Sequence, residues 1–207
     1  MHLTREEVSM KVPIQRKGTK YIARTLGYLN NSVSVVIAIR DMLKLARNLK
    51  ELKGMIKDKL IKLNGKPVHD FRQSIRLFNI LEADKPYVLS VSPTGRYIFE
   101  ETKAKERLCK VIGKKLLSKK RIQFNMNDGT NIISKDKINV GDSLYFDFEG
   151  KVKKHISLEK GKEVFVFAGK YIGQSGKIES IKDNKAKIKF KGKEQEVELP
   201  LRLLITQ

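Results

Sequence analysis

Apolar residues in this chain recur with two different periods, and the changes of period mark out its parts. Between Val33 and Glu82, the residues Val36, Ile39, Leu43 and Ala46 fall at helical spacing, with Arg40, Lys44 and Arg47 on another face. That spacing predicts a first short helix. Asn48 stands three residues before Glu51, an N-cap signal for a second helix carrying Leu52, Met55 and Ile56. Leu60, Ile61 and Leu63 then read as a strand, and Asn64-Gly65 can supply the two positive φ angles of a tight hairpin.

Farther on, the period falls to two. Residues 87–91 (YVLSV) predict a strand, Ser92-Pro93-Thr94-Gly95 a turn, and Arg96-Tyr97-Ile98-Phe99 the return. Residues 100–108 (EETKAKERL) have helical propensity and predict one short helix, after which 108–112 resumes strand character. Ile122, Phe124 and Met126 alternate with Gln123 and Asn125, and Asp128-Gly129 signals a hairpin returning to Ile132 and Ile133. Val140-Gly141-Asp142-Ser143 turns into another alternating run, 144–148. In the last stretch, 164–168, 178–181, 186–190 and 196–199 are short strands separated by turns at Asp183-Asn184 and Lys191-Gly192, the pattern of a small five-strand barrel. Gly169, Gly173 and Gly176 form a strand–loop–strand corner where backbone can approach a ligand closely. No Gly-Lys-Ser/Thr and no helix follow, so the corner is not a phosphate-binding P-loop.

The fold class is therefore α+β and mostly β. Its expected divisions are a basic extension (1–31), a two-helix and hairpin module (32–86), a central β domain (87–158) and a barrel (159–207). The extension spreads Arg5, Lys11, Arg16, Lys17, Lys20 and Arg24 among Pro13, Gly18 and Gly27. It reads either as a segment that orders on a partner or as a terminus tied down by Tyr21 and Tyr28.

Charge narrows the function. The 207 residues include 44 Lys and Arg against 23 Asp and Glu, a net charge of +21 that internal carboxylates cannot neutralise. A polyanion, and first of all nucleic acid, is the expected partner. Hydrophobic content of 40% is enough for folded cores. Cys109 is the single cysteine, which excludes an intramolecular disulfide and fits a reducing compartment; its place in a strand suits a small apolar core residue. His2, His69 and His155 are scattered without metal-ligand spacing. The longest apolar run, from Val33 to Ile39, is too short to span a bilayer, and no signal peptide opens the chain, so a soluble intracellular protein is expected. A membrane-surface role lacks its basic amphipathic helix with bulky anchors. No Cys/His pair, metal constellation or nucleotide-binding βαβ unit supports catalysis, and neither a cofactor nor a small-molecule substrate is expected.

The first candidate phosphate contacts are Arg40, Lys44, Arg47, Lys50, Lys53, Lys62 and Lys66 on the two-helix module. Second come Lys114, Lys115, Lys119, Lys120 and Arg121 on a central hairpin, whose basic tips either touch RNA or are ordinary solvated turns. Near the corner the candidates are Lys170, Tyr171 and Lys177. Tyr21, Tyr28 and Tyr171 are available in principle for stacking unpaired bases.

Two of these modules resemble known families. The stretch from Val33 to Glu82, with LIKLNGK at 60–66 and a return strand near 77–81, resembles the small RNA-binding domain named after bacterial small-subunit ribosomal protein four. The stretch from Gly169 to Ile181 is similar to a KOW motif of SH3-like barrels. Taken in order, with IRDML at 39–43, RLCKV at 107–111 and NVGD at 139–142, they resemble the archaeal and eukaryotic type of small-subunit ribosomal protein four over nearly the whole chain. The resemblance implies a structural, ribosome-bound cytoplasmic protein seated on the 5′ part of small-subunit rRNA, beside other ribosomal proteins and without self-association. A KOW-containing transcription-elongation or RNA-chaperone factor is the alternative. Two departures stand out: the lysine-rich amino end of the family is short here, beginning at Met1-His2-Leu3, and Phe78-Asn79 replaces a glycine-aspartate step before the module's last strand.

Overall fold

The computed structural model describes residues 2–27, 31–118, 121–190 and 196–207. Tyr28, Lys119, Lys120 and the turn expected at Lys191-Gly192 lie outside the described residues. The chain forms two compact units, Met1–Lys105 and Glu106–Gln207.

In the first unit, β1 (Leu3–Thr4) pairs with β2 (Tyr21–Ile22), and β3 (Ser32–Ser34) leads into one wide helical turn, Ile37–Met42. Helix α1 (Leu49–Lys57) follows, then β4 (Lys62–Leu63), β5 (Lys66–Pro67), β6 (Ser74–Arg76), β7 (Ile80–Glu82), β8 (Pro86–Val91) and β9 (Tyr97–Glu101). Strand β3 pairs with β6, and the larger antiparallel sheet runs β5-β4-β7-β8-β9. Strands β8 and β9, grouped by sequence with the central domain, are thus hydrogen-bonded onto the sheet of the helical module.

The N-terminal extension is folded on itself by two arginines, and the Tyr97 N–H ties it to β9 by donating to the Lys11 carbonyl at 2.7 Å. Arg5 donates to the Thr19 carbonyl at 2.8 Å, to Thr19 Oγ1 at 3.0 Å and to the Gln15 carbonyl, and Arg16 donates to the Val8 carbonyl at 3.0 Å. Val8 and Val12 of the same segment are buried.

The first helix is shorter than its apolar spacing predicts. Every residue from Val33 to Ile39 is buried, so the stretch is surrounded by protein instead of presenting one apolar face. The Leu45 N–H reaches back to the Ile39 carbonyl, and Lys44 takes φ +58, which ends the helix. Arg40, Lys44 and Arg47 therefore share no helix face. Helix α1 matches its signals better: Asn48 Oδ1 accepts from the Glu51 N–H at 2.9 Å. Its exit bonds Leu60 N–H to the Met55 carbonyl and Lys59 N–H to the Ile56 carbonyl, with Lys59 at φ +55 where glycine is usual. The Asn64-Gly65 turn has φ of +51 and +78, as the hairpin requires.

The helix predicted over 100–108 is absent; these residues end β9 and begin β10 (Glu106–Ser118). Cross-strand pairing and the burial of Leu108 and Cys109 outweigh the helical propensity of the charged residues. In this second unit follow β11 (Arg121–Met126), β12 (Asn131–Ser134), β13 (Ser143–Asp147) and β14 (Val152–Ile156), in the antiparallel order β12-β11-β10-β13-β14. Phe124, Phe146, Val111, Leu144 and Cys109 form its core. Burial, with the Asp128 carboxylate next, pushes the Cys109 thiol far up, in keeping with an inert packing role.

The remaining strands, β15 (Glu163–Val166), β16 (Ser175–Lys182), β17 (Lys185–Phe190), β18 (Glu196–Pro200) and β19 (Leu204–Thr206), form a sheet in the order β18-β17-β16-β15-β19. Val164, Val166, Ile178, Ile188, Phe190 and Leu204 pack as a separate core.

Candidate nucleic-acid interface

Helix α1 turns Leu52 fully inward, which points Lys50, Lys53 and Lys57 to solvent on the opposite side. The Lys53 ammonium lies 5.4 Å from the centre of the Phe71 ring. Arg72 covers the same ring but is also bonded to Asp70 at 3.0 Å, so part of its charge is spent. Lys62 and Lys66 project from the β4–β5 hairpin, which Asn64 Oδ1 anchors to β7 by accepting the Ile80 N–H at 2.9 Å. Lys50, Lys53, Lys62 and Lys66 are thus exposed cations of one module.

Arg40 differs from these. Its guanidinium makes two 2.8 Å bonds to the Asp41 carboxylate, and that pairing raises its already high proton affinity. Lys44 and Arg47 are exposed in the loop between the helical elements. Arg40, Asp41 and Lys44 line a polar cleft of about 520 Å3 together with Arg5 and the half-exposed Tyr21.

In the second unit, Lys114 stands opposite Phe124 and Lys115 opposite Gln123, so the two lysines emerge on opposite faces of the β10–β11 hairpin. Arg121 opens β11, and Leu116 (67% exposed) and Leu117 (47%) add apolar surface to this arm. The adjacent Arg107 carries charge of another kind: it is ion-paired with Asp128 inside the structure, with side-chain exposures of 11% and 2%.

At the glycine corner, Gly169 has φ +91 and Gly173 +76, backbone that few side chains tolerate. Gly176 is needed for space: an added Cβ would lie 2.6 Å from both Ile188 Cγ2 and the Lys189 carbonyl oxygen. Lys170 is exposed, whereas Tyr171 stacks on Phe190 at 5.3 Å and serves the core. Lys177 faces a groove of about 680 Å3 together with Lys160, Lys187 and Lys189, three lysines that the sequence reading did not single out. The signal for Lys187 and Lys189 was present in the alternation Lys185-Ala186-Lys187-Ile188-Lys189-Phe190, where every second residue is a lysine and the intervening ones are apolar.

Among the described residues, no group of three or more His, Cys, Asp or Glu could hold a metal ion, and no helix is long and apolar enough to cross a membrane.

Comparison with known proteins adds relatives that span most of the chain. The model of Ribosomal family S4e matches residues 83–152. Small ribosomal subunit protein eS4 of Methanocella arvoryzae is 28% identical over 189 residues, covering 87% of this chain and 81% of that protein. Its counterpart in Methanothermobacter thermautotrophicus is 27% identical over 190 residues, covering 87% and 78%. The crystal structure of 30S ribosomal protein S4e from Thermoplasma acidophilum matches with a TM-score of 0.74 at 25% identity, over 86% of this chain and 95% of that one.

Proposed function

The chain is a member of the ribosomal S4e family, and from that premise we propose that it is a structural component of the small ribosomal subunit that binds small-subunit rRNA through many separate phosphate contacts. It works there without catalysis, in the cytoplasm, as one copy among neighbouring ribosomal proteins and seated toward the 5′ part of the rRNA.

One observation carries the binding mode. Lys50, Lys53, Lys62, Lys66, Lys114, Lys115 and Arg121 are exposed, and among the described residues none of them is ion-paired with a carboxylate. Cations left unpaired on both units suit a ligand that offers phosphates over a wide area. Each phosphate neutralised adds about 0.7–0.9 to the log–log salt slope.

Filter binding of the full chain to purified small-subunit and large-subunit rRNA over a salt series tests this. Tighter binding to the small-subunit rRNA with a steep salt slope is expected. Equal affinity for both RNAs would point instead to a general RNA-chaperone or elongation factor.

A further inference from the structure

We propose that the outward face of β16 and β17 is a track for one strand of RNA backbone, with its lysines taking successive phosphates; the inference rests on the rRNA-binding reading above and locates one contact within it.

Strand pairing places the charges in rows across the sheet. Glu163, Lys177, Lys189 and Glu196 stand side by side on β15, β16, β17 and β18, and Ser180, Lys187 and Glu198 form the next row. Lys182 and Lys185 close the band at the far end. Lysines thus occupy the two middle strands, and glutamates border them on both sides. Along β17, Lys185, Lys187 and Lys189 are all exposed while Ala186, Ile188 and Phe190 between them are buried. Alternate residues of a strand repeat at roughly 7 Å, close to the step between phosphates of an extended single strand.

The surface there is concave. The groove of about 680 Å3 that holds Lys160, Lys177, Lys187 and Lys189 shares Ser180 and Lys187 with a second hollow of about 270 Å3 that holds Lys182 and Lys185. The two make one path along the strands. Glutamate borders fit a single strand better than a duplex, because a second phosphate backbone would lie against Glu196 and Glu198. Within the groove, Glu179 is hydrogen-bonded to Glu196, and its carboxyl is held above the usual range first by that bond. The lysines themselves are lightly committed, since Lys187 meets Glu198 only at 3.9 Å.

The test uses the full-length chain and a variant with Lys185→Gln, Lys187→Gln and Lys189→Gln, each at an exposed position. Binding is measured across a salt series to small-subunit rRNA, to a short oligouridylate and to a fully paired RNA duplex. Loss of three single-strand phosphate contacts should lower the slope for oligouridylate by about 2 and weaken binding tenfold or more, roughly, at 0.1 M salt. Duplex binding should change little, and Lys→Arg at the same three positions should restore the oligouridylate slope. A variant that matches the wild type on oligouridylate, while both bind rRNA, overturns the track and leaves the rRNA reading intact. A variant that loses duplex and oligouridylate equally also overturns it, in favour of a nonspecific basic face. A wild type that binds no rRNA overturns the reading beneath it.

Discussion

The Lys110 ammonium donates to the Leu204 carbonyl oxygen at 2.6 Å and to that of Leu201 at 2.5 Å, joining the central strand β10 to the start of β19. Lys110 is only 5% exposed, and its burial pushes the ammonium down to about 8. Thr206 and Ser143 make a second link between the same two sheets at 2.6 Å. The cation here is structural.

A pH signature follows from Lys110. An unfolded lysine keeps its proton to about 10.4, so between about pH 8 and about pH 10.4 the unfolded chain binds more protons at this residue than the folded one. Its contribution to stability is lowest below pH 8 and rises across that window. Relative to Lys110→Met, the wild type should therefore gain about 1–3 kcal/mol in urea unfolding between about pH 8 and pH 10. A difference that stays flat with pH would contradict this.

Two glycine substitutions should act in opposite directions. Gly176→Ala drives a Cβ against Ile188 and the Lys189 carbonyl and should cost about 1–3 kcal/mol. Gly54→Ala, inside α1 with nothing within 4 Å of the added carbon, should stabilise by about 0.8–1 kcal/mol. Thermal melts of the two variants check the pair.

Phe78 has φ +63 and is buried at 6% exposure. Its N–H bonds the Leu89 carbonyl at 2.8 Å and holds the entry to β7 in place. Removing the ring costs about 3–5 kcal/mol whichever small residue replaces it. Glycine alone also relieves the left-handed backbone, by roughly 1 kcal/mol. Phe78→Gly should therefore be less damaging than Phe78→Ala, by about that amount, and chemical denaturation of both would show the reverse order if the backbone carries no strain.

Arg5 should govern the order of the N-terminal segment without governing the fold. Arg5→Ala removes three bonds to Gln15 and Thr19 and should speed tryptic cleavage after Lys17 and Lys20 several-fold, leaving the β8–β9 sheet protected. Unchanged cleavage would mean that β1–β2 pairing and the Arg16 bonds secure the segment without Arg5.

Local chemistry was legible in the sequence wherever a few neighbouring residues decide the backbone. Asn48 capping α1, Asn64-Gly65, and Asp183-Asn184 with φ of +42 and +64 are such cases. Failure came where distant partners decide. The run from Val33 to Ile39 carries apolar residues at helical spacing, yet burial on every side leaves that period without meaning. Residues 100–108 look helical until β10 finds β13. At the candidate interface, counting lysines could not separate Arg40, bound to Asp41, from Lys50 and Lys62, which have no carboxylate partner among the described residues. Nor could it reveal that β17 and β16 set Lys189 beside Lys177, because that neighbourhood exists only once the strands pair.

Cosedimentation tests the central claim most directly. Lysate from the source organism, run on sucrose gradients at moderate and high salt, is probed for this chain. The protein should travel with small ribosomal subunits in near-stoichiometric amount through the moderate-salt wash and leave them as salt rises. A protein that stays at the top of the gradient, or that travels with RNA polymerase, would contradict the ribosomal assignment.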